Sequence, residues 1–279
     1  MELTNKYHLP DAFHKAVSWQ PEAGEYQYRV SELTNTPRIV WLTRRHRSEI
    51  VEDISDKIWL LLGSAVHYVL DKGGSKNDLV EETLTAAVSG ITIKGSPDLL
   101  QGDTLWDYKV TSVWSVVYDP KGKSEWRIQL NIYKWLYEQA GFDVKHLKVC
   151  AILRDWQKAK RGGPDYPDIP VAVIDIPVWD NPMSMIQDRL DALESVKDTP
   201  DSELPICTAE ERWQKPDRWA LMKKNQKRAV KLYDSQQEAE HACQIGHFVE
   251  PRIGVSTRCL EYCSVQPWCE FGKQIKEES

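Results

Sequence analysis

The spacing of apolar side chains separates helical from extended stretches along the chain. Residues 50–71, IVEDISDKIWLLLGSAVHYVLD, place apolar residues at 51, 54, 58, 62, 65 and 69, the i, i+3, i+4 recurrence of an amphipathic helix. Gly73 and Gly74 stop it. Glu125 to Ala140 repeats the period, with Ile128, Ile132, Trp135 and Leu136 as the buried stripe and Gly141 as the C-terminal signal. Met183 to Lys197 predicts another such helix. Strands are predicted at Leu79 to Ala87, Leu147 to Leu153 and Val171 to Trp179, the last two separated by the basic, Gly-Gly-containing loop Gln157 to Pro170. Ile91 to Ser112, ITIKGSPDLLQGDTLWDYKVTS, has two short β-type runs flanking Gln101-Gly102-Asp103, a β-hairpin signal. Residues 1–36 lack periodicity and predict an irregular lead-in. Hairpin strands followed by helix, strand, strand and helix imply an α/β or α+β layered domain, a central mixed sheet flanked by helices.

Composition narrows the class. A chain of 279 residues is one large domain, or a core of roughly 200 residues with an appendage. The net charge of −6 argues against nonspecific coating of nucleic acid and leaves room for a local basic groove. Twelve Trp against four Phe supply rings for packing or for base stacking, and the count alone does not choose. No run reaches the ~20 apolar residues of a membrane span, and the N-terminus lacks the regions of a signal peptide. The expectation is a cytoplasmic protein without a membrane partner, whose six cysteines are thiols or metal ligands rather than disulfides.

The hairpin carries the candidate chemistry. Side chains two apart on a strand share a face, so Asp107 and Lys109 point one way and Tyr108 and Val110 the other. Folding the hairpin back brings Asp98 beside Asp107, and two hard oxygen ligands together suit Mg²⁺ or Mn²⁺. In isolation D-x-K on a strand is an ordinary solvated ion pair. Gly63 and His67 share one face of the first helix, and Gln129 and Tyr133 one face of the second. Glu81 and Glu82 lie on the approach to the hairpin, and alternation lets only one of them face the site.

Pro97-Asp98, eight residues, then Asp107-Tyr108-Lys109 resembles the signature of the PD-(D/E)xK nucleases. A preceding G-x-x-x-H (Gly63, His67) and a following Q-x-x-x-Y (Gln129, Tyr133) resemble the RecB-like branch, which includes phage recombination exonucleases and CRISPR-associated iron–sulphur exonucleases. The resemblance implies a restriction-endonuclease-like core, with divalent metal held by His67, Asp98, Asp107 and the Tyr108 carbonyl. It implies that Lys109 orients the attacking water and that Gln129 and Tyr133 position the strand or the metal site. The implied protein is a metal-dependent DNA nuclease, an exonuclease acting on DNA ends or single strands, with a recombination or single-strand-binding protein as partner. A noncatalytic nucleic-acid-binding protein and a structural metal-cluster module remain the alternatives.

The last third adds cysteines and charge. Cys259, Cys263 and Cys269 form C-x3-C-x5-C, close spacing for soft thiolate ligation. Cys207 and Cys243 compete as the fourth ligand, and the Pro-bracketed loop favours Cys207; Cys150, on an apolar strand, is assigned to core. By resemblance to nucleases with an iron–sulphur staple the group is a [4Fe-4S] cluster. The longer spacing and the lack of an early cysteine keep Zn²⁺ as the alternative. Arg212 to Lys231 holds eight basic residues against the single acid Asp217, with Trp213 and Trp219 interleaved, and reads either as a single-strand path or as a solvated helix. Arg38, Arg44, Arg45 and Arg47 with Trp41 and His46 read either as a phosphate contact or as a solvated helix face. The expected organisation is a nuclease core at 1–200 and a basic, Cys-rich region at 201–279 packed on it.

Overall fold

The computed structural model describes residues 1–18, 25–76 and 78–278. The chain divides into two units, Met1–Val40 with Arg47–Asp198, and Trp41–His46 with Thr199–Ser279. Among the described residues no helix is long and apolar enough to cross a membrane.

The first unit runs through β1 (Glu2–Thr4), α1 (Asp11–Val17), β2 (Tyr28–Arg29), α2 (Val30–Leu33) and the start of α3 (Pro37–Arg45). It continues with β3 (Val51–Asp53), α4 (Ile58–Asp71), β4 (Leu79–Val80), β5 (Leu84–Val88), β6 (Ile91–Gly95), β7 (Leu99–Gln101) and β8 (Thr104–Thr111). It ends with α5 (Trp114–Val117), α6 (Ser124–Gln139), β9 (His146–Leu153), β10 (Val171–Ile176) and α7 (Met183–Glu194). The principal sheet has the order β10-β9-β8-β7-β4 and a smaller one the order β2-β6-β5. Only β8 and β9 are parallel within the principal sheet. Parallel neighbours need a crossover, and α5 with α6 provides it. The unit is therefore the mixed α/β layer expected.

Helix α6 is buried nearly all round, because it packs on β8, β9 and β10 and also on β5 and α2. Gly95 of β6 allows this approach: a Cβ there would meet Tyr133 Cε1 at 2.7 Å and Leu136 Cδ1 at 2.9 Å. Asn131, fully buried, donates from Nδ2 to Arg127 O at 2.8 Å and Pro177 O at 3.0 Å, and accepts from Trp179 N at 2.8 Å. These bonds take up the backbone groups beyond Ile176, so the strand predicted to reach Trp179 ends there.

Several expectations are corrected. The lead-in contains β1, α1, β2 and α2, and its residues 19–24 lie outside the described ones. The helix predicted from residue 50 starts at Ile58, because Asp53 accepts from Lys6 N, Ser55 N and Thr4 Oγ1 and fixes a strand and a 3-10 turn ahead of it. Its apolar stripe does not sink into the core: no residue of α4 is buried, and Trp59 is 54% exposed. The strand predicted over Leu79 to Ala87 breaks at Glu81, whose φ of 48° no strand tolerates, and its halves join different sheets.

The second unit contains β11 (Arg218–Lys223), β12 (Lys231–Tyr233), α8 (Gln236–His241), β13 (His247–Arg252) and α9 (Glu270–Glu278), with sheet order β12-β11-β13. The basic segment is thus an antiparallel pair and not a helix. Lys223, Lys224, Lys227 and Arg228 are exposed at its turn, whereas Arg218 pairs with Asp234 and Arg212 lies over Phe271. The earlier arginine cluster is not a solvated face either. Arg38 is buried, and Arg45 and His46 both bind Asp201, at 2.6 Å each, while His46 stacks on Trp268.

Candidate active site

Type and register of the hairpin assemble the site. Gly102, at φ 62°, closes the turn, and Leu99 pairs with Trp106, which sets Asp98 opposite Asp107. Asp98 Oδ2 then accepts Tyr108 N at 2.6 Å. From α4, His67 reaches over both arms: Nδ1 lies 3.3 Å from Asp98 Oδ1, and Nε2 lies 3.1 Å from Tyr108 O. The hydrogen bond to Asp98 raises the His67 pKa above its ordinary value against the opposing effect of burial.

Asp107 is 2% exposed. Burial pushes its carboxyl up to about 6, with Asp98 adding to the rise and Lys109 opposing it. Lys109 Nζ lies 2.7 Å from Asp107 Oδ2, an ion contact outside hydrogen-bond direction, so this buried oxygen receives no donor. Lys109 Nζ donates instead to Gln129 Oε1 at 3.0 Å, and Gln129 Nε2 donates to Tyr133 Oη at 3.0 Å. Burial raises the Tyr133 pKa, so the phenol keeps its proton. A chain Asp107, Lys109, Gln129, Tyr133 thus runs from β8 into α6.

Two further carboxylates were not singled out or not decided from sequence. Asp71 follows His67 by one helical turn, a spacing that could have flagged it. Its Oδ1 is buried without a donor, and burial raises its pKa. Glu81, and not Glu82, faces this group: Asp71, Asp98 and His67 all act on its charge. A cleft of about 360 Å³ lies alongside, lined by Asp71, Asp78, Asp98, Trp106, Tyr108 and Cys150 among others. Cys150 is therefore half-buried in the cleft wall and not a core residue.

The donor chemistry fits a hard divalent cation: carboxylate oxygens, two of them buried without donors, beside a carbonyl and an imidazole. These groups are closed on one another and on Lys109, so among the described residues no three of His, Cys, Asp and Glu stand ready as a ligating group.

In the second unit Cys259 feels the charges of Cys263, Cys207 and Cys269, which together with burial, the larger cause, push its thiol up to about 11. Burial raises Cys263 too. Cys243 is exposed and is absent from this group's mutual interactions.

Fold and site define a mixed α/β protein with a His, Asp, Asp and Lys cluster at a hairpin. No protein-family model and no curated protein matches the chain. Among solved structures it is similar to SSO0001, at 18% identity and TM-score 0.47, over 68% of this chain and 85% of that one. An alkaline exonuclease (LHK-Exo) from Laribacter hongkongensis follows, at 14% identity and TM-score 0.39, over 67% and 94%. A phage-related exonuclease from Haemophilus somnus 129PT gives 15% identity and TM-score 0.28, over 67% and 78%.

Proposed function

We propose that this protein is a divalent-metal-dependent DNA nuclease of the PD-(D/E)xK type, RecB-like branch. Its activity is exonucleolytic, on DNA ends or single strands during recombination, repair or phage DNA processing. The observation that carries the reading is that His67, Asp98, Asp107 and Lys109 meet in one partly buried site, with Gln129 and Tyr133 chained behind Lys109. A solvated ion pair needs no such support.

In this reading His67, Asp98, Asp107 and the Tyr108 carbonyl hold Mg²⁺ or Mn²⁺. The ion would supply a nucleophilic water at neutral pH and neutralise charge on the phosphoryl oxygens. Lys109, held between Asp107 and Gln129, would orient the attacking water and donate a hydrogen bond to the developing charge. Gln129 fixes the ammonium, and Tyr133 fixes the Gln129 amide. Cys207, Cys259, Cys263 and Cys269 hold a [4Fe-4S] cluster, with Zn²⁺ as the alternative for the same thiolates. A recombination or single-strand-binding protein is the partner class that the role implies.

The test is incubation of the full chain with 5′- and 3′-labelled single- and double-stranded DNA in Mg²⁺, Mn²⁺ or chelator. Shortening of labelled strands in metal and none in chelator is expected. Intact substrate in both metals contradicts the proposal.

A further inference from the structure

Helix α4 is apolar yet has no fully buried residue, and one line of it leads to the site. Trp59, Gly63, His67 and Asp71 follow at intervals of four, so they stack along one face. Eight residues at 1.5 Å put Trp59 about 12 Å from His67. A Cβ at Gly63 would meet nothing within 4 Å, so the face is open between them.

The sheet brings cations to the same place. Lys109 pairs with Ala151 and Thr111 with Leu153, and Arg154 N donates to Thr111 O as the next step along β9. Arg154 thus lies three residues, about 10 Å, beyond the level of Lys109. Its guanidinium sits over the Trp59 ring at 3.9 Å from the centroid. Among the described residues Arg154 makes no ion pair within 4 Å, although the Asp155 carboxyl feels its charge.

A second pair adjoins the first. Asp155, next to Arg154, accepts from Val113 N at 2.6 Å and Ser112 Oγ at 2.7 Å, which pins the start of α5 to the end of β9. Trp114 follows at once, 40% exposed, stacked on Tyr118 at 5.6 Å with Lys160 over its ring at 5.5 Å. Two exposed indoles, each with a cation over its ring, are therefore tied to neighbouring residues at the end of β9, Trp59 through Arg154 and Trp114 through the bond of Asp155 to Val113 N.

We propose that Trp59 with Arg154 and Trp114 with Lys160 form a track for a single strand of DNA, whose bases stack on the indoles and whose phosphates meet the two cations. The inference names the substrate form and rests on the proposed nuclease site for the track's destination. Stacking tolerates any base, and only an unpaired base offers its face. The cations argue for a polyanion over a second copy of the chain on this apolar helix.

The test is fluorescence anisotropy of the full chain with labelled oligo(dT) and with a blunt duplex of equal length, in chelator so that neither is cut. Trp59→Ala and Trp114→Ala should each weaken single-strand binding about fivefold or more, with a smaller loss on duplex, while Trp59→Phe retains binding. Arg154→Gln should lower the slope of log affinity against log salt by about 0.7. Wild-type single-strand affinity in both Trp variants, equal losses on both DNAs, or no single-strand binding by the parent chain overturns the track. So does a change of oligomeric state, in sedimentation, as the only effect of Trp59→Ala. Unimpaired cleavage by Asp107→Ala would instead overturn the nuclease site and leave these binding results standing.

Discussion

Lys109 donates to Gln129 across 3.0 Å, tying the last polar residue of the hairpin motif to the middle of α6. Gln129 in turn is held by Tyr133, on the next turn of the same helix. An ammonium on a flexible stem is aimed by what surrounds it, and this one lies against a carboxylate on its own strand and donates to an amide on a buried helix.

Gln129→Leu should therefore leave the cation ligands in place and misplace the ammonium. Cleavage is expected to fall about 10²-fold, the scale of an ångström's misplacement at a reacting centre. Mn²⁺ affinity should stay near that of the parent. Single-turnover cleavage beside calorimetric Mn²⁺ titration checks the split; loss of both together would place Gln129 among the ligands.

The Asp107 carboxyl provides a pH signature of the metal-free fold. Its pKa rises from 3.8 to about 6, chiefly through burial. A proton held more tightly in the folded chain stabilises it fully below about 3.8 and is lost as pH rises through about 6. The raised His67 acts in the same direction, its contribution fading above its own folded value. The melting temperature in chelator should then decline over this window in the parent chain and decline less in Asp107→Asn. Parallel curves would show that Asp107 titrates normally.

The cysteines differ in what their loss should do. A metal shared by Cys207, Cys259, Cys263 and Cys269, as proposed, would close a loop of 51 intervening residues between the first two, and its binding energy would contribute to folding of the second unit. Cys207→Ser should lower the melting temperature more than Cys243→Ser, whose thiol is exposed. Anaerobically purified protein should contain iron, with visible absorbance that fades in air, or zinc without colour. Stoichiometric absence of both metals with equal melting of the two variants would make these cysteines packing residues.

Legibility varied with the kind of signal. The hairpin was readable because its turn carries its own chemistry in Gly102, and its register follows from the turn, so Asp98 meets Asp107 as the spacing implies. The α6 stripe was readable too, although the pattern understated burial: Asn131 and Lys134 are also inside, since α6 is covered on more than one side. For α4 the same period misled, because periodicity reports a face and not what covers it. The break at Glu81 had no local marker, as neither Gly nor Pro stands there. Asp71 was within reach of an i, i+4 argument from His67. Arg154 was not, because only the parallel pairing of β8 with β9 carries it to Trp59.

The proposed nuclease site rests on Asp107 as a cation ligand and on Lys109 as the group that acts on the water. The most direct measurement compares Asp107→Ala and Lys109→Ala by Mn²⁺ calorimetry and by cleavage of labelled DNA under the same conditions. Asp107→Ala should lose both cation binding and cleavage, and Lys109→Ala should lose cleavage while keeping cation binding. Cleavage at the parent rate by either variant would contradict the proposed site.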